Sequence, residues 1–121
     1  GHVTGVQTCA LPILTVEFLI DSGASDVFLP EQVVRKLAEL GTVDSSDTLG
    51  ERSYSIADGS TFKATAFRIR KMRIGDRSLE NVTGNVARGS DTPLLGQSFL
   101  GRFKSWSIDN QRHVLVLDYP L

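Results

Sequence analysis

Phe18-Leu19-Ile20-Asp21-Ser22-Gly23-Ala24-Ser25 runs three apolar residues straight into a carboxylate, a hydroxyl and a glycine. The pattern predicts a buried strand that ends by pushing one acid out of an apolar wall. A sharp turn then follows on a residue with no side chain. A carboxylate in such a place is costly unless something shares its proton or donates hydrogen bonds to it, so Asp21 is a candidate for chemistry. A second apolar-apolar-Gly signal, Leu94-Leu95-Gly96, stands far downstream. Taken alone, Asp21 also fits an Asx-turn or helix N-cap, with Ser22 and Gly23 serving the turn.

On either side of this stretch the chain reads as mostly β. Leu14 to Ile20 forms a strand that delivers Asp21, and Val27-Phe28-Leu29 forms a short buried strand after the turn. Pro30 suits the first turn of a helix. Val33, Val34, Leu37, Ala38 and Leu40 recur at helical spacing, and Gly41 supplies the stop. Thr42 to Ser53 is polar and reads as loop. Tyr54-Ser55-Ile56 and Thr61 to Ala64 flank Ala57-Asp58-Gly59-Ser60, a hairpin signal because a tight turn needs positive φ. A second hairpin runs from Phe67 to Ile74, turns at 75–78 and returns over Leu79 to Ala87. Its apolar phase slips near Ala66-Phe67 and Lys71-Met72, which predicts bulges or strong coiling. Arg88 to Pro93 reads as loop, Leu94 to Gly96 as a buried strand and Gln97 to Phe103 as a short helix. Trp106 to Ile108 and His113 to Leu117 close the chain as a hairpin around Asp109-Asn110.

Composition narrows the class. The 121 residues, 40% hydrophobic and 22% charged, suit one globular domain with a modest core. A net charge of -1 gives no electrostatic reason to expect nucleic acid as a partner. No apolar run reaches the length of a membrane span, and one cysteine excludes an internal disulfide. Val3 to Ile13 back-translates codon for codon to what looks like a short-read sequencing adapter. Residues 1–13 are therefore expected to be a non-native leader, with the domain running over 14–121 and its opening strand truncated. Nothing functional is drawn from His2, Cys9 or Pro12.

The two motifs, in this order and with Ala24-Ser25 after the first, resemble the retropepsin-like aspartic proteases, especially their bacterial gag-like members. The resemblance covers about Val16 to Leu117. It implies a single-lobe acid-protease fold, a closed β barrel with one or two short helices, acting as a homodimer on peptide or protein substrates without cofactor or metal. Aspartic proteolysis needs two carboxylates sharing one proton with a water between them. No other Asp here has an apolar-Asp-Ser/Thr-Gly setting, so the second must come from the Asp21 of a two-fold partner. The resemblance assigns catalysis to Asp21, Ser22 and Gly23, with Leu94, Leu95 and Gly96 as the structural motif. Ala24, Ser25 and Asp26 would line the substrate, and Ala57, Asp58, Gly59 and Ser60 would form a flap over it. Many retroviral members carry an acid and an Arg where this chain has Ser25 and Gln97, so a neutral hydrogen bond or no contact replaces that ion pair. A non-catalytic dimerisation or peptide-binding module with the same fold is the competing reading. An upstream membrane anchor, as some bacterial relatives have, would belong to a longer protein.

Other candidates have plainer readings. His113 has no Cys or acid at ligand spacing and reads as an ordinary strand residue. Arg68, Arg70, Lys71 and Arg73 alternate with Ile69, Met72 and Ile74, which predicts a solvated strand face rather than a nucleic-acid site. Trp106 reads as a core or interface anchor.

Overall fold

A computed structural model describes residues 2–8, 14–55, 58–74, 77–112 and 114–118. Ala57 of the expected flap, Gly75 and Asp76 of the second turn, Cys9, Pro12 and His113 lie outside the described residues. The elements are β1 (His2–Thr8), β2 (Thr15–Ile20), β3 (Val27–Pro30), α1 (Glu31–Glu39), a 3-10 turn (Ser45–Asp47), β4 (Thr48–Ser55), β5 (Thr61–Ile74) and β6 (Arg77–Ala87). They continue with β7 (Leu94–Leu95), α2 (Gln97–Leu100), β8 (Ser105–Asp109) and β9 (Val114–Asp118).

Seven strands form one sheet in the order β1-β2-β7-β3-β6-β5-β4, and β8 and β9 form a separate antiparallel pair. The expected closed barrel is not what forms. Closure needs continuous ladders with matched stagger around the ring. Here β7 supplies only Leu94 and Leu95, β1 meets β5 through two residue pairs, and β4 stands at an edge. The result is a curled, mostly β sheet with two short helices.

The core gathers where the curl folds over. Phe18 from β2, Val27 and Leu29 from β3, Met72 from β5, Leu95 from β7, and Phe99 and Leu100 from α2 are all fully buried. Each such side chain is worth roughly 1.5–3 kcal/mol of burial. α1 starts after Pro30, carries Glu31 at its positive end and Lys36 near its negative end, and lays Leu37 on the core. Gly41, at φ 77, and Thr42 return their N–H groups to Ala38 and Leu37.

Two local expectations change. Thr42 to Ser53 is not all loop, because Thr48 to Ser53 belongs to β4. An edge strand exposed along most of its length needs no apolar alternation, so its residues read as polar coil. Of the two phase slips, the first faces a register shift on β4, where Thr48 pairs with Phe67 and Gly50 with Ala66, leaving Leu49 extra. The second has no counterpart: β5 and β6 keep one register from Ala66–Asn85 through Ile74–Arg77. Instead the far end of β5 turns to meet β1, so Ala66, Phe67, Ile69 and Met72 are buried on successive faces of a coiling strand.

Asp47 is 1% exposed, although its neighbours read as a polar loop. It accepts the Asp44 backbone N–H at 3.0 Å, while Asp44 accepts that of Ser46 at 2.8 Å, closing the 3-10 turn on itself. Arg68 and Arg70 then grip the Asp47 carboxylate, with Nη2 contacts of 2.9 and 2.8 Å. These arginines are half-exposed, but they act as counter-ions rather than as a simple solvated face. Burial pushes the Asp47 carboxyl up, and the hydrogen bonds from Arg70, the Asp44 N–H and Arg68 outweigh it, holding it at about 2.

With the folded carboxyl at about 2 against an ordinary 3.8, the stabilisation from Asp47 is complete above the higher value and disappears as pH falls through the lower. Asp47→Ala should lower unfolding free energy by about 1–3 kcal/mol at neutral pH, since it removes the charge-assisted bonds from Arg68 and Arg70 and opens the turn. Urea titrations from pH 6 down to pH 2 test this: the wild-type advantage over the variant should shrink steadily below pH 4.

Candidate active site

The segment after β2 and the segment after β7 are sewn together along their length. Leu19 N–H donates to Pro93 O at 2.9 Å and Asp21 N–H to Leu95 O at 3.1 Å. Gln97 N–H reaches Ala24 O and Ser98 N–H reaches Ser25 O, both at 2.9 Å. Gly96 sits at the crossing. A Cβ there would lie 2.1 Å from Asp26 O and 2.7 Å from Ala24 O, so only glycine lets the two backbones approach this closely. Ser98 completes the seam: its hydroxyl accepts Val27 N–H at 2.9 Å and donates to Thr83 O at 2.7 Å, bridging β3 to β6.

This seam sets Asp21 half-buried in the lining of a cleft, with Ser22 and Gly23 exposed beside it. Asp21 Oδ1 accepts Gly23 N–H at 3.0 Å, and among the described residues no donor engages Oδ2. A Cβ on Gly23 would meet Asp21 Oδ1 at 3.4 Å, an ordinary contact, so packing within the chain does not demand glycine there. Gln97 Nε2 donates to Ser22 O at 3.0 Å. The Gln97 side chain thus meets the Ser22 backbone rather than the Ser25 side chain, and this bond ties Ser22 to α2.

The cleft holds about 970 Å³ and is open to solvent. Asp21, Gly23, Ala24 and Ser25 line its floor; Tyr54 and Phe62 stand on the arms of the β4–β5 hairpin above it. Leu94 also lines it, while Leu95 packs into the core. Of the other sequence-derived candidates, Ser22 and Asp26 are outside the lining. The hairpin tip, Asp58 to Ser60, is exposed and also away from the cleft wall. That tip is a tight Asx-turn: Gly59 has φ 87, and Asp58 accepts the Ser60 N–H at 2.8 Å and its hydroxyl at 2.6 Å. Those bonds lower the Asp58 carboxyl below its usual range.

Sequence reasoning passed over Phe28, Tyr54, Phe62 and Asn85. Tyr54 and Phe62 are directly paired across β4 and β5, and their equal spacing on either side of Asp58 was the available signal. Asn85 is fully buried in β6, and nothing local marks it. The Tyr54 hydroxyl is pushed up to about 12, first by burial and then by its hydrogen bond to Asp26. Among the described residues no cluster of three or more His, Cys, Asp or Glu could hold a metal. No described helix is long and apolar enough to cross a membrane.

Comparison with known proteins converges on one family. Residues 13–102 match the family model described as "gag-polyprotein putative aspartyl protease". An uncharacterized protein, RP867, of Rickettsia prowazekii (strain Madrid E) is 34% identical over 105 residues, or 86% of this chain. The chain spans 42% of the length of that curated relative. The crystal structure of a retropepsin-like aspartic protease from Rickettsia conorii superposes with a TM-score of 0.65 at 30% identity, covering 97% of this chain and 89% of that one.

The seam generates two expectations. Gly96→Ala should cost more than about 3 kcal/mol, because backbone rather than a movable side chain blocks the new methyl. Ser98→Ala should cost about 1–3 kcal/mol by leaving one buried donor and one buried acceptor unpaired. Chemical denaturation of both variants, followed by tryptophan fluorescence, checks the order.

Proposed function

Because the chain belongs to the gag-polyprotein aspartyl protease family and is retropepsin-like, we propose that it is an aspartic endopeptidase completed by two-fold pairing of Asp21. The observation that carries this reading is the half-buried Asp21 lining the cleft, with Oδ1 accepting the Gly23 N–H and, among the described residues, no donor on Oδ2. One chain contributes one such acid, so a second copy must bring the other across a rotation axis. Ser22, exposed beside it, bonds across that axis and keeps the two loops in register.

The chemistry needs no cofactor. A water sits between the two carboxylates, which share one proton, since like charges about 3 Å apart do not both ionise. The ionised Asp21 takes a proton from the water as its oxygen attacks the scissile carbonyl carbon. The protonated Asp21 gives its proton to the carbonyl oxygen, forming a gem-diol. The Asp21 that took the water proton gives it to the amide nitrogen while the other Asp21, now ionised, takes a proton from a diol hydroxyl; the C–N bond breaks, carboxylic acid and amine leave, and the pair again shares one proton. Gly23 and Ala24 keep the floor low for an extended peptide, and Ser25 shapes the neighbouring subsite. Ala57, Asp58, Gly59 and Ser60 close over it as a flap that excludes water. The peptide is held by added-strand hydrogen bonds to floor and flap.

Casein and a fluorogenic peptide library should be cut with a mildly acidic optimum, because the pair works only with one proton shared. Asp21→Asn should lower the rate at least about 10³-fold. Excess Asp21→Asn chain should also poison wild-type activity by forming mixed pairs. Cleavage by pure Asp21→Asn protein at the wild-type rate, or a rate per chain independent of dilution in a strictly monomeric protein by sedimentation, would overturn the assignment. Peptide capture without turnover by the wild type would favour a binding module.

A further inference from the structure

Asp21 to Ala24 form a tight turn, closed by the Ala24 N–H on the Asp21 carbonyl at 3.1 Å. The peptide unit between its middle residues, Ser22 and Gly23, carries two further bonds. On one side the Gly23 N–H donates to Asp21 Oδ1 at 3.0 Å. On the other the Ser22 carbonyl accepts Gln97 Nε2, also at 3.0 Å. The N–H and C=O of a trans peptide unit point in opposite directions. One rigid plane therefore stands between the Gln97 side chain and the Asp21 carboxylate.

That plane is the part of such a turn most easily inverted. The two common turn forms differ by inverting the middle peptide unit, and the inverted form needs φ of about +80° at the third residue. Glycine supplies that backbone at no steric cost. Gly23 is the third residue here and does not adopt it: among the described residues the glycines with positive φ are Gly41, Gly50, Gly59 and Gly89. Inversion would turn the Ser22 carbonyl toward the Asp21 carboxylate, oxygen against oxygen, and withdraw the N–H that holds Oδ1. Glycine leaves both forms open, so the choice falls to the groups that grip the plane.

Gln97 grips it from a fixed base. Its own N–H donates to Ala24 O at 2.9 Å, and its carbonyl accepts the Gly101 N–H at 2.8 Å. A Cβ on Gly101 would stand 2.7 Å from that carbonyl, so the chain closes tightly around the start of the side chain. Just past α2, Arg102 donates to Glu80 O at 3.0 Å and ties that end to β6. We propose that Gln97 is a positioning residue for Asp21: its side chain holds the Ser22 carbonyl, fixes the 22–23 peptide plane, and so aims the N–H that orients the carboxylate. This rests on the reading of Asp21 as the catalytic acid and adds what keeps that acid aimed. Gln97 is exposed, so loss of its bond costs the fold little and registers at the carboxylate.

Proton–nitrogen NMR and peptide hydrolysis together test this on wild type, Gln97→Met and Gln97→Lys. Methionine keeps the length of the side chain and loses the donor; lysine restores one. In Gln97→Met the Gly23 amide proton should move upfield and exchange with solvent at least about five-fold faster. Gln97→Lys should bring both back toward wild type. Cleavage of the best library peptide is compared at concentrations where all three proteins sediment alike. Gln97→Met should lose kcat about three- to ten-fold with KM within about two-fold, and Gln97→Lys should lie nearer wild type. Urea midpoints should agree across the three. An unmoved Gly23 amide or unchanged kcat in Gln97→Met would overturn the proposal. So would a loss carried by KM, one that lysine leaves uncorrected, or one that tracks a lowered urea midpoint. Absence of wild-type cleavage, with the Gly23 amide still following the side chain at 97, would sink the peptidase reading and leave the hold on the Asp21 carboxylate standing.

Discussion

The structure depends on the close passage of two backbone segments that lie more than seventy residues apart. Residues 19–27 and 93–98 are joined by main-chain bonds from Leu19 to Pro93, Asp21 to Leu95, Gln97 to Ala24 and Ser98 to Ser25. Their approach is possible only because Gly96 presents no Cβ to the carbonyls of Ala24 and Asp26. Everything that gives Asp21 its position passes through this seam. β2 arrives parallel to β7, β3 leaves antiparallel to it, and the acid sits at the point where they part. Placing Asp21 by main chain rather than by long side chains suits the two-fold pairing proposed for it, which needs the acid held to within about half an ångström.

The rest of the molecule braces that seam from two sides. On one, the Ser98 hydroxyl spans β3 and β6 where their ladder begins, so α2 is tied to the sheet as well as to the turn after Asp21. On the other, the buried Asp47 carboxylate joins the 3-10 turn to β5 through Arg68 and Arg70. Between them runs β5, fourteen residues long, whose near half carries the hairpin above the cleft and whose far half meets β1. One arm of the hairpin beside the cleft thus grows from the same strand that the ion cluster holds to the core. Rigid support lies below the cleft and an exposed turn above it.

Much of this was legible in the chain, for physical reasons that differ by element. Asp21 and Gly96 stand out because an acid after three apolar residues, and a glycine after two, have few inexpensive explanations. The α1 helix is legible from its period and from Pro30 and Gly41 at its ends. β4 was hidden, since a strand with water on most of its side chains needs no alternation. The ring around the core was overstated: local patterns reveal strands, but whether ladders join end to end is decided by their length and stagger, and β7 is too short. Asp47 and Asn85 were illegible because their partners, Arg68, Arg70, Tyr54 and Asp26, are supplied by segments far along the sequence. A buried polar residue announces itself only once the groups that satisfy it are known.

The displaced Leu49 on β4 has an effect beyond its own neighbourhood. β4 forms an edge of the large sheet and pairs with β5 alone, so its outer donors and acceptors face outward. With one residue inserted and Gly50 at φ 96, those groups are out of step with the even repeat of an ordinary extended chain. A stray polypeptide docking there would lose its match after a few residues, which guards against fibrous self-association.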